Sequence, residues 1–155
     1  IKTALNSLFP RQINNEFPGS KTALWGFYLF TALTLWRSQH HIFASDGGAQ
    51  SIATIPLENY SPSAASTIIG MFALWGLSQL ILGLIYLLAA LRYRSMIPLL
   101  YLLSFFEYLM RAVYIPATKS IETAGTAPGA VGNLPLVIFS LLMLGLSLWP
   151  RKKSV

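Results

Sequence analysis

Glu107 and Arg111 stand four residues apart in an otherwise apolar stretch, with the acid first. On a helix that spacing brings both side chains to one face, where they can pair. An ionisable group deep in hydrocarbon costs at least ~2.5 kcal/mol, so such groups point into a protein interior or a polar cavity. Two uses follow: an ion pair that pins one membrane helix against its neighbours, or a site that binds a ligand or handles a proton. Tyr101, Ser104, Glu107, Tyr108 and Arg111 recur at helical spacing and line one side of the same segment. Gly76, Gln79, Gly83, Tyr86 and Ala90 form a comparable stripe on the preceding apolar run. Gln79 lies thirteen residues before Arg92 and Glu107 thirteen after Arg94, so both sit ~20 Å from the turn that joins their helices. These two side chains are expected to touch, and Arg111 to come level with Trp75, whose indole face can receive the guanidinium. Gln79, Ser104, Glu107, Tyr108 and Arg111 are therefore the candidate binding residues, with Arg111 neutralising Glu107.

The remaining chemistry-bearing residues are less specific. His40, His41 and Asp46 lie together before Gly47 and Gly48. Adjacent histidines point in different directions on a helix and lack the i, i+4 spacing of a metal pair, so a solvated interfacial loop is expected there and no metal site is assigned. Gly76, Gly83 and Ala90 repeat every seven residues, which allows close approach of another helix. There are no cysteines, which removes disulfides, thiolate metal sites and Cys nucleophiles. No phosphate-cradling loop, GxSxG elbow, HExxH or catalytic carboxylate pair occurs, so no catalytic residue is assigned and no cofactor is named.

The elements that must position these residues are apolar helices. Of 155 residues, 54% are hydrophobic and 10% charged, and the mean hydropathy is +0.57. That is too little polar surface for a soluble globule, so the solvent for most of the chain is lipid. Four apolar runs set the expected spans: about 21–41, 63–91, 95–115 and 133–149. The first has an uncharged stretch of only fifteen residues between Lys21 and Arg37, so either those two snorkel or the helix continues through His41 and Phe43. Ser61 and Pro62 should open the second run. Ser95 with Pro98 should open the third, which ends at Pro116. Asn133 and Pro135 should open the fourth, and Pro150 should close it before Arg151, Lys152 and Lys153. The fold expected is all-α, one membrane domain over 1–155, an integral bundle of four transmembrane helices.

The net charge of +6 does not indicate nucleic acid, because the basic residues sit at the ends of the apolar runs. Residues 1–21 carry two net positive charges, Arg92 with Arg94 two more, and the tail three; the first long loop is net negative by one, and the second is neutral. By the positive-inside rule both termini and the 92–95 turn face the cytoplasm. The N-terminal 20 residues, broken by Pro10 and Pro18, are not expected to be a cleavable signal; Leu5, Leu8, Phe9 and Ile13 can lie in the interface as a short amphipathic helix. Starting on Ile1 leaves room for residues upstream. Neither internal repeats nor low-complexity tracts are present. Ile52, Ile55 and Leu57 suggest that the first long loop folds back on the mouth of the bundle.

The Gly-and-polar run FALWGLSQLILGLIYLLAALRYRS, with its basic turn, followed by LLSFFEYLMRAVY, resembles small four-helix bacterial membrane proteins of the DoxX-like type over about residues 64–115. The resemblance implies the four-span architecture and a bacterial inner membrane, and it assigns no chemistry. The chain departs from that pattern in its long loop between the first two spans. With no catalytic constellation, a chain too small to enclose a wide aqueous path, and 13% aromatic residues on helices that must bury their faces, the expectation is a non-enzymatic accessory subunit. Its partners would be membrane lipid and other membrane subunits. The alternative is a lipid, quinone-like or solute site between the second and third spans.

Overall fold

In a computed structural model, which describes residues 2–17 and 19–149, helix is the regular structure throughout and no strand occurs among the described residues. The expected stop at Pro150, the basic residues 151–153 and the breaker Pro18 lie outside the described residues. A short helix α1 (Lys2–Leu8) leads into α2 (Lys21–Phe43), α3 (Pro62–Arg92), α4 (Ile97–Leu109) with a π-helical turn (Met110–Tyr114) and a last turn α5 (Ile115–Thr118), and α6 (Pro128–Leu148).

Ser20 caps α2, its Oγ accepting from Ala23 N at 3.2 Å, and the helix runs on through His41 and Phe43. At 23 residues it is ~35 Å long, so the shortness of its uncharged stretch is resolved by continuation. Thr31 and Thr34 donate to the carbonyls of Phe27 and Phe30 at 2.7 and 2.9 Å, which satisfies their buried hydroxyls within the helix. Ser61 caps α3 as expected, with Pro62 in its first turn. Among the described residues, three stretches are long and apolar enough to cross a membrane: Pro62–Arg92, Arg94–Thr118 and Pro128–Leu148. α2 is as long but less apolar, because Arg37, Gln39, His40 and His41 crowd its last turns.

Several expected boundaries move, each for a local reason. Ser95 does not cap α4: its Oγ donates to Asn14 O and accepts from Asn14 N, both at 3.0 Å, and so ties the N-terminal segment to the 93–96 turn. The third helical stretch does not stop at Pro116. Ile115 N reaches back five residues to Met110 O, and this widened π turn lets Pro116 sit in the first turn of α5 without clashing. α6 begins at Pro128, which is preset for a first helical turn, so Asn133 lies inside the helix and is not its cap. Pro135 then sits in the helix interior.

The helices pair differently from the expectation for a tight α3/α4 hairpin. α3 packs along α2, and α4 along α6, while α2 also touches α6; α3 and α4 meet little despite their short connection. Gly76 and Gly83 explain the α2/α3 seam. A Cβ at Gly76 would lie 2.7 Å from His41 Cβ, and one at Gly83 2.8 Å from Leu35 Cδ2. Between the pairs, Phe27, Phe30, Tyr86, Tyr101 and Tyr108 fill the centre of the bundle, with Phe27 and Tyr101 edge to face at 5.4 Å. At one end, called the turn end below, lie residues 93–96 and the N-terminal segment. At the other, the loop end, residues 44–61 fold back with Ile55 buried, and Ala124 N donates to Thr54 O at 2.7 Å, tying the two long loops together.

Candidate functional site

Four side chains from three helices form one polar chain inside the loop-end half of the bundle. Gln79 of α3 is buried, and its Nε2 donates to Glu107 Oε1 of α4 at 3.1 Å. Arg111 Nη1 donates to the same oxygen, also at 3.1 Å. The expected contacts among Gln79, Glu107 and Arg111 are therefore present, and equal spacing from the turn was enough to locate them. Arg37 of α2 completes the chain, its Nη2 donating to Gln79 Oε1 at 2.9 Å.

Aromatic faces hold the guanidinium groups. Arg111 lies 4.8 Å from the Trp75 ring centroid and 5.4 Å from that of Tyr108; Arg37 lies 5.8 and 5.9 Å from the same two rings. Tyr108 thus contributes its ring face. Ser104 is not part of the cluster. It is fully buried, donates to Leu100 O at 2.8 Å and pairs with Tyr86 Oη at 2.9 Å.

Glu107 and Arg111 are not sealed in the interior: their side chains keep 28% and 21% of their exposure. They sit at the open side between α3 and α4, where the backbones stand apart and long side chains bridge them.

Two participants were missed from sequence. Arg37 was expected either to snorkel from the end of a short helix or to lie inside one that continues through His41 and Phe43; α2 does run six residues further, and the Arg37 side chain turns inward to Gln79. The continuation through His41 and Phe43 was the available signal. Asn133, read as a cap, donates from Nδ2 to Arg111 O at 3.4 Å. That carbonyl needs a donor: the π turn takes Ile115 N to Met110 O, and the next residue, Pro116, has no N–H. A side chain from α6 thereby steadies the backbone that carries Arg111.

His41 adjoins the cluster and is not in a solvated loop. It is buried in α2, with its ring 4.5 Å from that of Trp75. Its Nδ1 meets Gly47 O at 2.8 Å, and since a carbonyl only accepts, that nitrogen carries the proton. Gly47 and Gly48 take φ of 61° and 78°, which a residue with Cβ adopts at a cost, and Cβ at Gly48 would lie 2.8 Å from His41 Nδ1. Asp46 organises this turn by accepting from Ser51 N at 2.6 Å, Gly48 N at 2.9 Å and Gln50 N at 3.1 Å. Partial burial raises its pKa, but those backbone donors outweigh it and hold the carboxyl at about 2.

Among the described residues no group of three His, Asp or Glu side chains is placed to hold a metal ion. Glu107 Oε1 accepts from both a guanidinium and an amide, so this oxygen is engaged in joining α3 to α4. Two guanidinium groups face one carboxylate, and Arg37 Nε is buried without a partner, so the cluster carries an excess positive charge. What the arrangement can do is lock helices together or receive an anionic or carbonyl group. Comparison with models of known protein families, with curated proteins and with solved structures finds no match to this chain.

Proposed function

We propose that this chain is a non-enzymatic accessory subunit of a larger assembly in a bacterial inner membrane. In this reading α2, α3, the Arg94–Thr118 stretch and α6 all span the bilayer, and both termini and the 92–95 turn face the cytoplasm. The four-span arrangement is also what the resemblance of residues 64–115 to DoxX-like proteins implies. The observation that carries the reading is the polar chain Arg37–Gln79–Glu107–Arg111. It is spent on joining α2, α3 and α4 to one another and is roofed by Trp75 and Tyr108. Two open hollows lie elsewhere, one lined by Gln12, Asn14 and Ser95 and one by Trp36 and His40. The charge pattern supports the orientation, since the basic groups cluster on the turn-end segments. Blue-native electrophoresis after mild solubilisation tests the proposal: migration within a larger complex with a reproducible partner is expected, and a lone monomer overturns it.

A second reading, a lipid, quinone-like or solute site at the open α3/α4 side, is favoured by the excess of guanidinium over carboxylate and by the unpartnered Arg37 Nε. Native mass spectrometry that finds a bound small molecule in the intact chain, and loses it in Arg37→Met, supports that reading over the first.

A further inference from the structure

The polar chain in the loop-end half of the bundle leaves several of its atoms unused. Arg37 forms its hydrogen bond through Nη2 and Arg111 through Nη1, while Arg37 Nη1, Arg111 Nε and Nη2, and Glu107 Oε2 bond nothing among the described residues. Unlike Arg37 Nε, none of these atoms is sealed. The one ion pair among the described residues joins Arg111 to Glu107, and Glu107 is the only acid in α2, α3, α6 and the Arg94–Thr118 stretch. The charge of Arg37 is therefore unbalanced. Beneath a bilayer surface such a charge is costly and calls for a counter-charge from outside the chain.

Depth and access narrow its source. Arg37 stands sixteen residues after Lys21 and Arg111 seventeen after Arg94, which puts both backbones roughly 25 Å from the turn end, near the loop-end surface of a ~30 Å core. From the loop end the cluster is covered: Trp75 lies over Arg111, His41 packs on Trp75, and Gly47 of the folded-back loop bonds His41. From the side it is open, because α3 and α4 meet little and Glu107 and Arg111 keep part of their exposure. One helical turn nearer the turn end, half-buried Leu82 follows Gln79 and exposed Leu103 precedes Glu107, so the same side continues as apolar surface. A ligand entering there comes out of the bilayer, with its polar end toward the loop end and its apolar part along Leu82 and Leu103.

The unused atoms describe that polar end. The free nitrogens of two guanidinium groups suit an oxyanion, which planar N–H forks hold well. Glu107 Oε2 only accepts, so it needs a donor beside that oxyanion. A single negative charge brings Arg37, Arg111 and Glu107 to neutrality. We propose that the open α3/α4 side holds one phospholipid of the loop-end leaflet, whose singly charged phosphodiester sits between Arg37 and Arg111 and whose neighbouring hydroxyl donates to Glu107. A fatty acid has the charge but no such donor, and the cation of a choline headgroup leaves the cluster unbalanced. The proposal rests on the second reading above, with α2 spanning the bilayer, and names the ligand class of that site.

Native mass spectrometry of the full chain, released from nanodiscs of mixed lipids, reads which lipid is retained. The natural chain should retain phosphatidylglycerol over phosphatidylcholine by roughly 10-fold or more. Phosphatidylmethanol, a phosphodiester with no headgroup hydroxyl, should be retained roughly 2- to 10-fold less than phosphatidylglycerol. Arg37→Met should abolish the preference for the anionic lipids, and Arg92→Gln, which removes the same charge at the exposed turn end, should keep it. The lipid series on the natural chain stands even where a variant unfolds. Equal retention of phosphatidylglycerol and phosphatidylcholine, or equal loss in Arg37→Met and Arg92→Gln, overturns the inference. Equal retention of the glycerol and methanol lipids overturns the contact assigned to Glu107. If glycerol phosphate in solution binds as tightly as the lipid, or a molecule of another class is retained and lost in Arg37→Met, the lipid assignment fails and the ligand-site reading stands. A natural chain that retains no molecule overturns both.

Discussion

The carboxylate of Glu107 accepts from Gln79 and from Arg111 at the same oxygen, so the two donors are not interchangeable: one is a neutral amide and the other balances its charge. Removing the cation alone leaves a half-buried carboxylate with an amide donor, and the group must take up a proton or turn to the open side. Arg111→Ala should therefore cost ~2 kcal/mol, below the range for fully buried pairs because both side chains retain some exposure. The double variant Glu107→Gln with Arg111→Met keeps an acceptor for Gln79 and leaves no charge unpaired, and it should cost less than ~1 kcal/mol. Thermal unfolding in detergent, followed by circular dichroism, ranks the two; a double variant no better than the single one contradicts this account. Asp46 gives a second residue-scale prediction. Its folded pKa, about 2, lies below the ordinary 3.8, so its contribution is fully present above pH 4 and is lost as the pH falls toward 2. Solvent screening limits this to ~1 kcal/mol. In Asp46→Asn that step in the acid-unfolding curve should vanish, and stability at neutral pH should drop.

Between α2 and α3 the deciding quantity is the distance a side chain would need. A Cβ at Gly76 meets His41 Cβ and the backbone of Ser38 and His41, which cannot yield, while at Gly83 it meets the flexible end of Leu35. At Gly70 it meets nothing within 4 Å. The series Gly76→Ala, Gly83→Ala, Gly70→Ala should thus run from destabilising by ~1–3 kcal/mol, through mildly destabilising, to neutral or stabilising by ~0.5–1 kcal/mol. Equal effects at all three positions would remove close approach as the reason for these glycines. Thermal unfolding of each variant checks the order.

The same element scale shows what sequence could convey. The repeat of Gly76 and Gly83 announced a close helix, but not which one, because a stripe has no record of its partner. Depth was legible: the 93–96 turn is short, so counting residues from it placed Gln79 opposite Glu107. Helix ends were less legible. Ser95 and Asn133 both have cap-forming side chains, and in each case a tertiary partner, Asn14 or Arg111 O, takes the side chain. Pro116 read as a stop because a π turn, which depends on a donor from a distant helix, cannot be seen in a local window.

Taken as a whole molecule, the architecture turns on α2. The other three long helical stretches are apolar enough to cross a bilayer by composition, whereas α2 carries Arg37 and two histidines toward its loop end. Those polar groups are largely turned inward: Arg37 bonds Gln79 and His41 bonds Gly47, so the surface α2 shows outside is more apolar than its sequence. The consequence is a parity that labelling can read. If α2 spans, residue 6 in α1 and residue 51 in the first long loop lie on opposite sides of the membrane; if α2 lies along the surface, they lie on the same side, and the other helices are unaffected. Cysteines placed singly at Asn6, Ser51 and Ser154 can be probed with a membrane-impermeant maleimide on sealed vesicles of known orientation. Four spans require Asn6→Cys and Ser154→Cys to react from the cytoplasmic side and Ser51→Cys from the other. Reaction of Asn6→Cys and Ser51→Cys from one side would reduce the bundle to three spans. It would also place Arg37 at an interface, where its pairing with a buried Gln79 would have no reason to form.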